Sequence, residues 1–288
     1  MALIQDINPR GEELYNKWAC FDISPAEENS VPEIDVIKRD TIADFPKDYK
    51  IAITNPPYLA KNSATRRGLV YSGEPYDDLY KKSLEVMLNN CDYVAAIIPE
   101  SFITSKLFHN RLHIVISLAC KMFDDTDCPV CLALFNPANE TSNDDFVIYR
   151  NDTRIGTYKE LQNSLFTSKY KIQEWKINDP NGTIGVCCVD SPKGQNTKFM
   201  NGEEISKEDI KVSSRAYTRI SGLPDNIDRD EFIRKCNQKL YDYRKNTKDV
   251  FLTSFKGLRQ DGKYRRRLDF KTIKSIMSTV LEEMEKKA

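Results

Sequence analysis

Short apolar runs that stop on a polar residue recur through the first half of the chain. Ala19–Ile23, Asp35–Asp40 and Ile51–Thr54 each read as a brief strand, leaving on Asp22, Asp40 and Asn55. The connections between them are too long for hairpins, which predicts parallel pairing and an α/β fold. Ahead of them, Leu3, Ile7, Leu14 and Trp18 give residues 1–18 an interrupted helical pattern. Lys61 to Pro75 is polar and reads as a mobile loop. Asp77-Asp78-Leu79-Tyr80 then opens a helix with acids in its first turn. Tyr93–Ile98 is a continuous apolar strand stopped by Pro99, residues 101–113 read as helical, and 114–118 and 130–135 as strands. Phe146–Tyr149 reads as an edge strand.

Beyond about residue 150 the pattern changes. The chain becomes polar, with turn signals at Asp179–Gly182 and Ser191–Gly194. Helical periodicity returns over 229–248 and 270–287, the latter with Ile273, Ile276, Met277, Val280 and Leu281 on one side, and residues 251–258 read as strand or turn. The expected organisation is an α/β domain over 1–150 and an α+β domain over 151–288.

The Ile51–Thr54 strand meets an abrupt end in Asn55-Pro56-Pro57-Tyr58. Neither proline can donate to a ladder, and Pro57 confines Pro56 to extended geometry. A side-chain amide and a phenol are therefore held on a stiff loop at the carboxyl end of a strand, where open α/β sheets bind ligands. Such a loop suits a planar amine.

Charge sharpens the picture. Lysine plus arginine and aspartate plus glutamate balance at 43 each, yet residues 1–60 hold 11 acids against 6 bases and residues 239–288 hold 14 bases against 7 acids. The C-terminal excess fits a polyanion surface, or equally a solvated helical face. Phe255-Lys256-Gly257-Leu258-Arg259 and Lys263-Tyr264-Arg265-Arg266-Arg267 interleave aromatics with bases, and Ser213–Arg219 carries Arg215 and Arg219. Eight cysteines lie mostly inside apolar runs. Cys128-Pro129-Val130-Cys131 has zinc-like spacing but no second pair, and a buried strand accounts for it. His109 and His113 lack a carboxylate partner, so no metal is expected. With no signal peptide or long apolar run, the chain is expected to be cytoplasmic, reduced and without membrane contact.

Asn-Pro-Pro-Tyr after an apolar strand resembles the catalytic motif of S-adenosylmethionine-dependent amino-methyltransferases, chiefly DNA adenine-N6 methyltransferases. Phe21-Asp22-Ile23, Arg39-Asp40-Thr41-Ile42, Asp78-Leu79-Tyr80, Ala96–Phe102 and Phe123–Phe135 follow in the order of that family's gamma group, covering about residues 15–136. The resemblance implies a Rossmann-like class I methyltransferase sheet and a C-terminal target-recognition domain, as in restriction-modification or phage enzymes acting on double-stranded DNA. It implies that Asn55 and the Pro56 carbonyl accept the adenine N6 hydrogens, with Pro57 stiffening the loop. Tyr58 and Phe123 would stack on a base flipped from the duplex. Asp22, Ile23, Asp40, Thr41, Ile42 and Asn55 would hold the cofactor. Lys61, Arg66, Arg67, Arg215, Arg219, Lys256, Arg259, Lys263, Arg265, Arg266 and Arg267 would contact DNA.

One departure stands out. The family's first strand and Gly-rich loop are missing: Gly11 is the only glycine before Gly68, and no Gly-x-Gly occurs. A truncated or split gene, with a second chain supplying the loop, is the expected explanation. Two other readings use the same residues: a glutamine-N5 methyltransferase acting on protein, and a non-catalytic DNA-binding remnant or partner subunit.

Overall fold

In the computed structural model of the chain, the described residues are 18–26, 35–118, 122–123, 128–137, 145–162, 174–191, 194–255 and 265–286. The helix expected over residues 1–18 lies almost wholly outside them. By compactness the chain divides into Met1–Ala96 and Ile97–Ala288. The composition change near residue 150 falls inside the second unit, at the Asn151–Asp152 turn.

The first unit contains two parallel pairs. Strands β1 (Cys20–Asp22) and β2 (Val36–Lys38) lie side by side with Asp22 opposite Lys38. Strand β3 (Ile51–Thr54) pairs not with them but with β4 (Tyr93–Pro99), Ile51 opposite Tyr93. Parallel pairing is as expected from the long connections; the partner of β3 comes from across a helical crossover. That crossover is α1 (Lys61–Arg66), a turn region, and α2 (Leu79–Asn90), which buries Tyr80, Leu84, Met87 and Leu88. Part of the expected mobile loop is thus helical, with Ala64 fully buried.

In the second unit the end of β4 is followed in the sheet by β6 (Val130–Phe135), β5 (Leu112–Ser117), β7 (Val147–Arg150) and β8 (Thr153–Thr157), in that order. Strand β5 runs antiparallel to β6 and parallel to β7, so the sheet is mixed. The helix expected over 101–113 reduces to a 3₁₀ turn at Glu100–Thr104. Lys106 and Phe108 take positive φ values of 61° and 54°, which no α-helix accommodates, and Leu112 already belongs to β5. Phe146–Tyr149 is not the edge, because β8 folds back on β7.

After the short helix α3 (Tyr158–Gln162), a four-stranded antiparallel sheet follows in the order β11-β10-β12-β9. Its strands are β9 (Lys176–Ile177), β10 (Ile184–Cys187), β11 (Lys198–Asn201) and β12 (Tyr217–Ser221). Helix α4 (Arg229–Thr247) packs along β11, and α5 (Phe270–Glu285) packs on α4. Asp228 and Asp269 cap these helices by accepting the amides of Glu231 and Thr272. Trp175 is 1% exposed, tilted on Phe232, and its indole donates to Ser278 Oγ at 2.8 Å. Between the helices runs a hairpin of β13 (Thr253–Phe255) and β14 (Arg265–Arg267). The chain is thus mixed α/β, with a mixed sheet and an α+β C-terminal part.

Candidate active site

Strand β3 ends at Asn55, and Pro56 is buried while Asn55 and Pro57 are exposed. The Tyr58 hydroxyl donates to Asn55 Oδ1 at 3.0 Å, so the amide and the phenol are joined within one loop. The Tyr80 ring stands edge-on to Tyr58, centroids 6.2 Å apart and planes at 83°. Beyond Tyr58 the chain is zipped to the start of α2. Leu79 N–H donates to Leu59 O at 3.1 Å, Lys61 N–H donates to Asp77 O at 2.8 Å, and Ala60 bridges Asp78 in antiparallel fashion.

This clamp is rich in acids. Glu74 pairs with Lys61 at 2.6 Å, Asp77 with Lys81 at 2.6 Å, and Glu85 with Lys82 at 2.5 Å. Asp78 joins no ion pair among the described residues. Burial pushes its carboxyl up, against the pull of the backbone at Tyr80 and Leu59, and Oδ1 is shielded from water with no hydrogen-bond partner.

The two acids expected to serve a cofactor close adjacent strands. Asp22 Oδ1 accepts Ser24 N–H at 2.7 Å, and Asp40 Oδ1 accepts the amides of Ile42 and Ala43 at 3.0 and 3.1 Å. Each is exposed and uses only one oxygen for its local turn, leaving the other without a protein partner among the described residues. Ile23 is 63% exposed beside Asp22, and Thr41 and Ile42 are half-buried after Asp40. The carboxylate pair and its apolar neighbours fit hydroxyl and amino donors flanking an aromatic ring. Phe123 belongs to the second unit, half-buried in the connection between β5 and β6.

The basic residues separate into two sets. Arg219 is buried, with Nε donating to Gly182 O at 3.0 Å and Nη1 to Ile205 O at 3.4 Å. Strand β14 is enclosed by β13 on one side and by residues 188–190 on the other, through Leu268 N–H to Cys188 O and Asp190 N–H to Arg266 O. Alternation along it sends Arg265 and Arg267 to one face and Arg266 to the other. Arg265 is 7% exposed, and Arg266 pairs with Glu100, which also accepts from Ser117 and from Arg150 Nη1 at 3.0 Å. Arg219, Arg265 and Arg266 therefore serve the interior of the fold. Arg215 is exposed, and its guanidinium and that of Arg267 lie 5.4 and 5.1 Å from the Phe270 ring centre. Desolvation, with Arg215 nearby, lowers the Arg267 pKa. In the first unit, Lys61 is held by Glu74, Arg66 donates to Asn62 O at 3.3 Å, and Arg67 is exposed. Lys256, Arg259 and Lys263 lie outside the described residues.

Sequence reasoning passed over Asp78 and Glu100 as individuals, although both stood in the motifs it quoted. The available signals were an acid directly following Asp77 ahead of a helix, and an acid directly after a strand-ending proline. Among the described residues no cluster of three or more His, Cys, Asp or Glu could hold a metal ion, and no helix is long and apolar enough to cross a membrane. No protein-family model matches the chain, and no curated protein matches it significantly.

Proposed function

We propose that the chain is the catalytic and DNA-contacting part of an S-adenosylmethionine-dependent DNA adenine-N6 methyltransferase with a Rossmann-like class I sheet. The observation that carries this reading is the stiff Asn55–Tyr58 loop at the carboxyl end of a parallel strand, with the phenol of Tyr58 fixing Asn55 Oδ1 as an acceptor. Adenine N6 is a poor nucleophile because its lone pair is delocalised into the ring. A second lone pair on Asn55 Oδ1 and the Pro56 carbonyl accept its two hydrogens, which favours a pyramidal nitrogen with its lone pair exposed. Orientation and fixed dipoles then supply most of the rate.

S-adenosylmethionine supplies an electrophilic methyl group on sulfur. Asp22 and Asp40 would hold its ribose and adenine portions through the carboxylate oxygens their turns leave over. Arg215, exposed, and Arg267, half-buried, flank Phe270 and provide a partly apolar cationic surface suited to a phosphate backbone.

A partner strand belongs to this reading. Among the described residues nothing pairs with the outer edge of β3, and Ile51 and Ile53 are 60% and 47% exposed. Parallel strands are ordinarily covered on both faces. An apolar strand added to this edge would bring the Gly-rich cofactor loop that follows such a strand, and we propose that a second chain supplies it.

Transfer of tritiated methyl to DNA, with nucleoside digestion, tests the assignment. N6-methyladenine formed by the wild type together with the chain that supplies the cofactor loop, and absent with Asn55→Ala, is expected. Label on a protein glutamine instead of DNA would overturn it.

A further inference from the structure

The Lys211–Ser214 turn, just ahead of β12, carries a valine that the fold does not use. Val212 is 93% exposed, yet the turn that bears it is closed by its own hydrogen bonds. Ser214 N–H donates to Lys211 O at 2.8 Å, and Ser214 Oγ accepts Lys211 N–H at 2.9 Å while donating to Asp209 O at 3.2 Å. From outside, the Asn178 amide clasps the turn, Nδ2 donating to Val212 O at 3.0 Å and to Ser214 O at 3.3 Å. Asn178 is itself fixed. Its N–H donates to Thr218 Oγ1 at 3.0 Å, and its φ of 58° is a left-handed geometry that asparagine tolerates. A side chain on a turn held this firmly loses little further freedom when it docks.

The turn leads directly into the two guanidiniums around Phe270. Arg215 Nη1 donates to Ser214 O at 2.9 Å, and Arg267 Nε donates to Arg215 O at 3.3 Å. The apolar tip, both cations and the ring therefore form one connected surface. Among the described residues Arg215 hydrogen-bonds only to carbonyl oxygens, and no acid occurs between Lys211 and Ser221. Lys211, also exposed, precedes Val212. An apolar tip with cations before and after it matches a groove with phosphates along both walls. A lone valine buries too little to hold a bilayer surface, and parting stacked bases takes a longer apolar wedge.

We infer that Val212 is a base-reading residue, whose methyls contact the 5-methyl group of a thymine in the major groove while Lys211, Arg215 and Arg267 take the flanking phosphates. This rests on the DNA reading proposed above and deepens it by naming a residue that sets specificity. Base edges in a groove are donors and acceptors, and thymine's methyl, in the major groove alone, is the apolar exception. With no polar atom in its side chain, Val212 has nothing else there to read.

Selection from a randomised duplex library by the full-length chain, followed by sequencing, tests this, with a second library in which deoxyuridine replaces thymidine. Val212→Ser should lose about fourfold of preference at one thymine position, the worth of one methyl group removed from water, with the slope of log affinity against log salt unchanged. Deoxyuridine should remove the same preference from the wild type and nothing further from the variant. Equal preference by wild type and Val212→Ser, or a wild-type preference undiminished by deoxyuridine, overturns the inference and leaves the methyltransferase reading intact. A wild type that retains no duplex overturns both. Retention instead on phosphatidylserine vesicles, lost in Val212→Ser, would assign this surface to a lipid and overturn the inference.

Discussion

Glu100 offers the sharpest test of how the second unit is held together. It is 1% exposed and surrounded by Ser117, Arg150 and Arg266, whose side chains come from β5, β7 and β14. Glu100→Ala leaves two guanidiniums without their carboxylate. Arg150, 28% exposed, can turn to water, but Arg266, at 14%, has little room to do so. Removing one member of a buried ion pair costs about 3–5 kcal/mol, and the partial escape of Arg150 places the expected loss near the lower end, about 3 kcal/mol. Arg266→Ala should cost less, about 2 kcal/mol, because Glu100 retains Ser117 and Arg150. The pair should therefore show a coupling of about 1.5–2 kcal/mol in a double-mutant cycle. Urea unfolding followed by Trp175 fluorescence in a Trp18→Phe background reads this directly, since the chain has only these two tryptophans. A loss of 3 kcal/mol moves the midpoint by about 1–3 M for typical slopes. A coupling below about 0.5 kcal/mol would mean the contact is no stronger than a solvated surface pair, and the enclosed position of Arg266 would be refuted.

Three further outcomes follow from the same structure. Arg215→Ala and Arg267→Ala should each reduce the slope of log affinity for duplex DNA against log salt by about 1, while Arg266→Ala leaves it unchanged; three equal slopes would remove the distinction between the arginines beside Phe270 and the one held by Glu100. Arg244 is held by Asp190 and Asp249 at 2.7 and 2.8 Å. Burial pushes the Asp190 carboxyl up, but Arg244 and the amides of Asn196 and Thr197 outweigh it, so its folded pKa lies below the ordinary 3.8. The stability it contributes is present above that value and lost as pH falls through the lower folded pKa; Asp190→Asn should abolish this acid-side loss in thermal melts taken below about pH 4. Finally, Ile53→Lys should prevent capture of a second chain on β3 without lowering the melting temperature, and co-purification in undiminished yield would argue against strand addition at that edge.

Apolar runs ended by polar residues marked β1, β2, β3 and β4 because a short β-branched run cut off by an acid or a proline leaves a local pattern, although only β4 is largely buried. The long C-terminal helices were legible for the same reason: seven residues from Ile273 to Leu281 are buried in α5 on a helical period. The 101–113 segment misled because its apolar spacing is compatible with a helix, whereas backbone strain at Lys106 and Phe108 has no compositional signature. Basic residues were legible as a patch but not as individuals. A run of three arginines reads as surface, yet alternation in β14 and a buried acid 166 positions earlier in sequence draw Arg266 inward. Pairings of that range are set by tertiary structure, and the sequence around either partner does not announce them.

The bond from Tyr58 to Asn55 has a consequence for the polarity of the loop. A carboxamide carries an acceptor and a donor on opposite sides of one rotatable bond, and half a turn exchanges them. By donating to Oδ1, the phenol acts as a latch on that rotor: it stabilises the orientation with oxygen beside the hydroxyl and leaves the NH₂ on the other side. With phenylalanine at residue 58 the latch is gone, and the loop can present either pole to an incoming group, selecting amines in one state and carbonyls in the other. What distinguishes the latched loop from the free one is a single hydroxyl group.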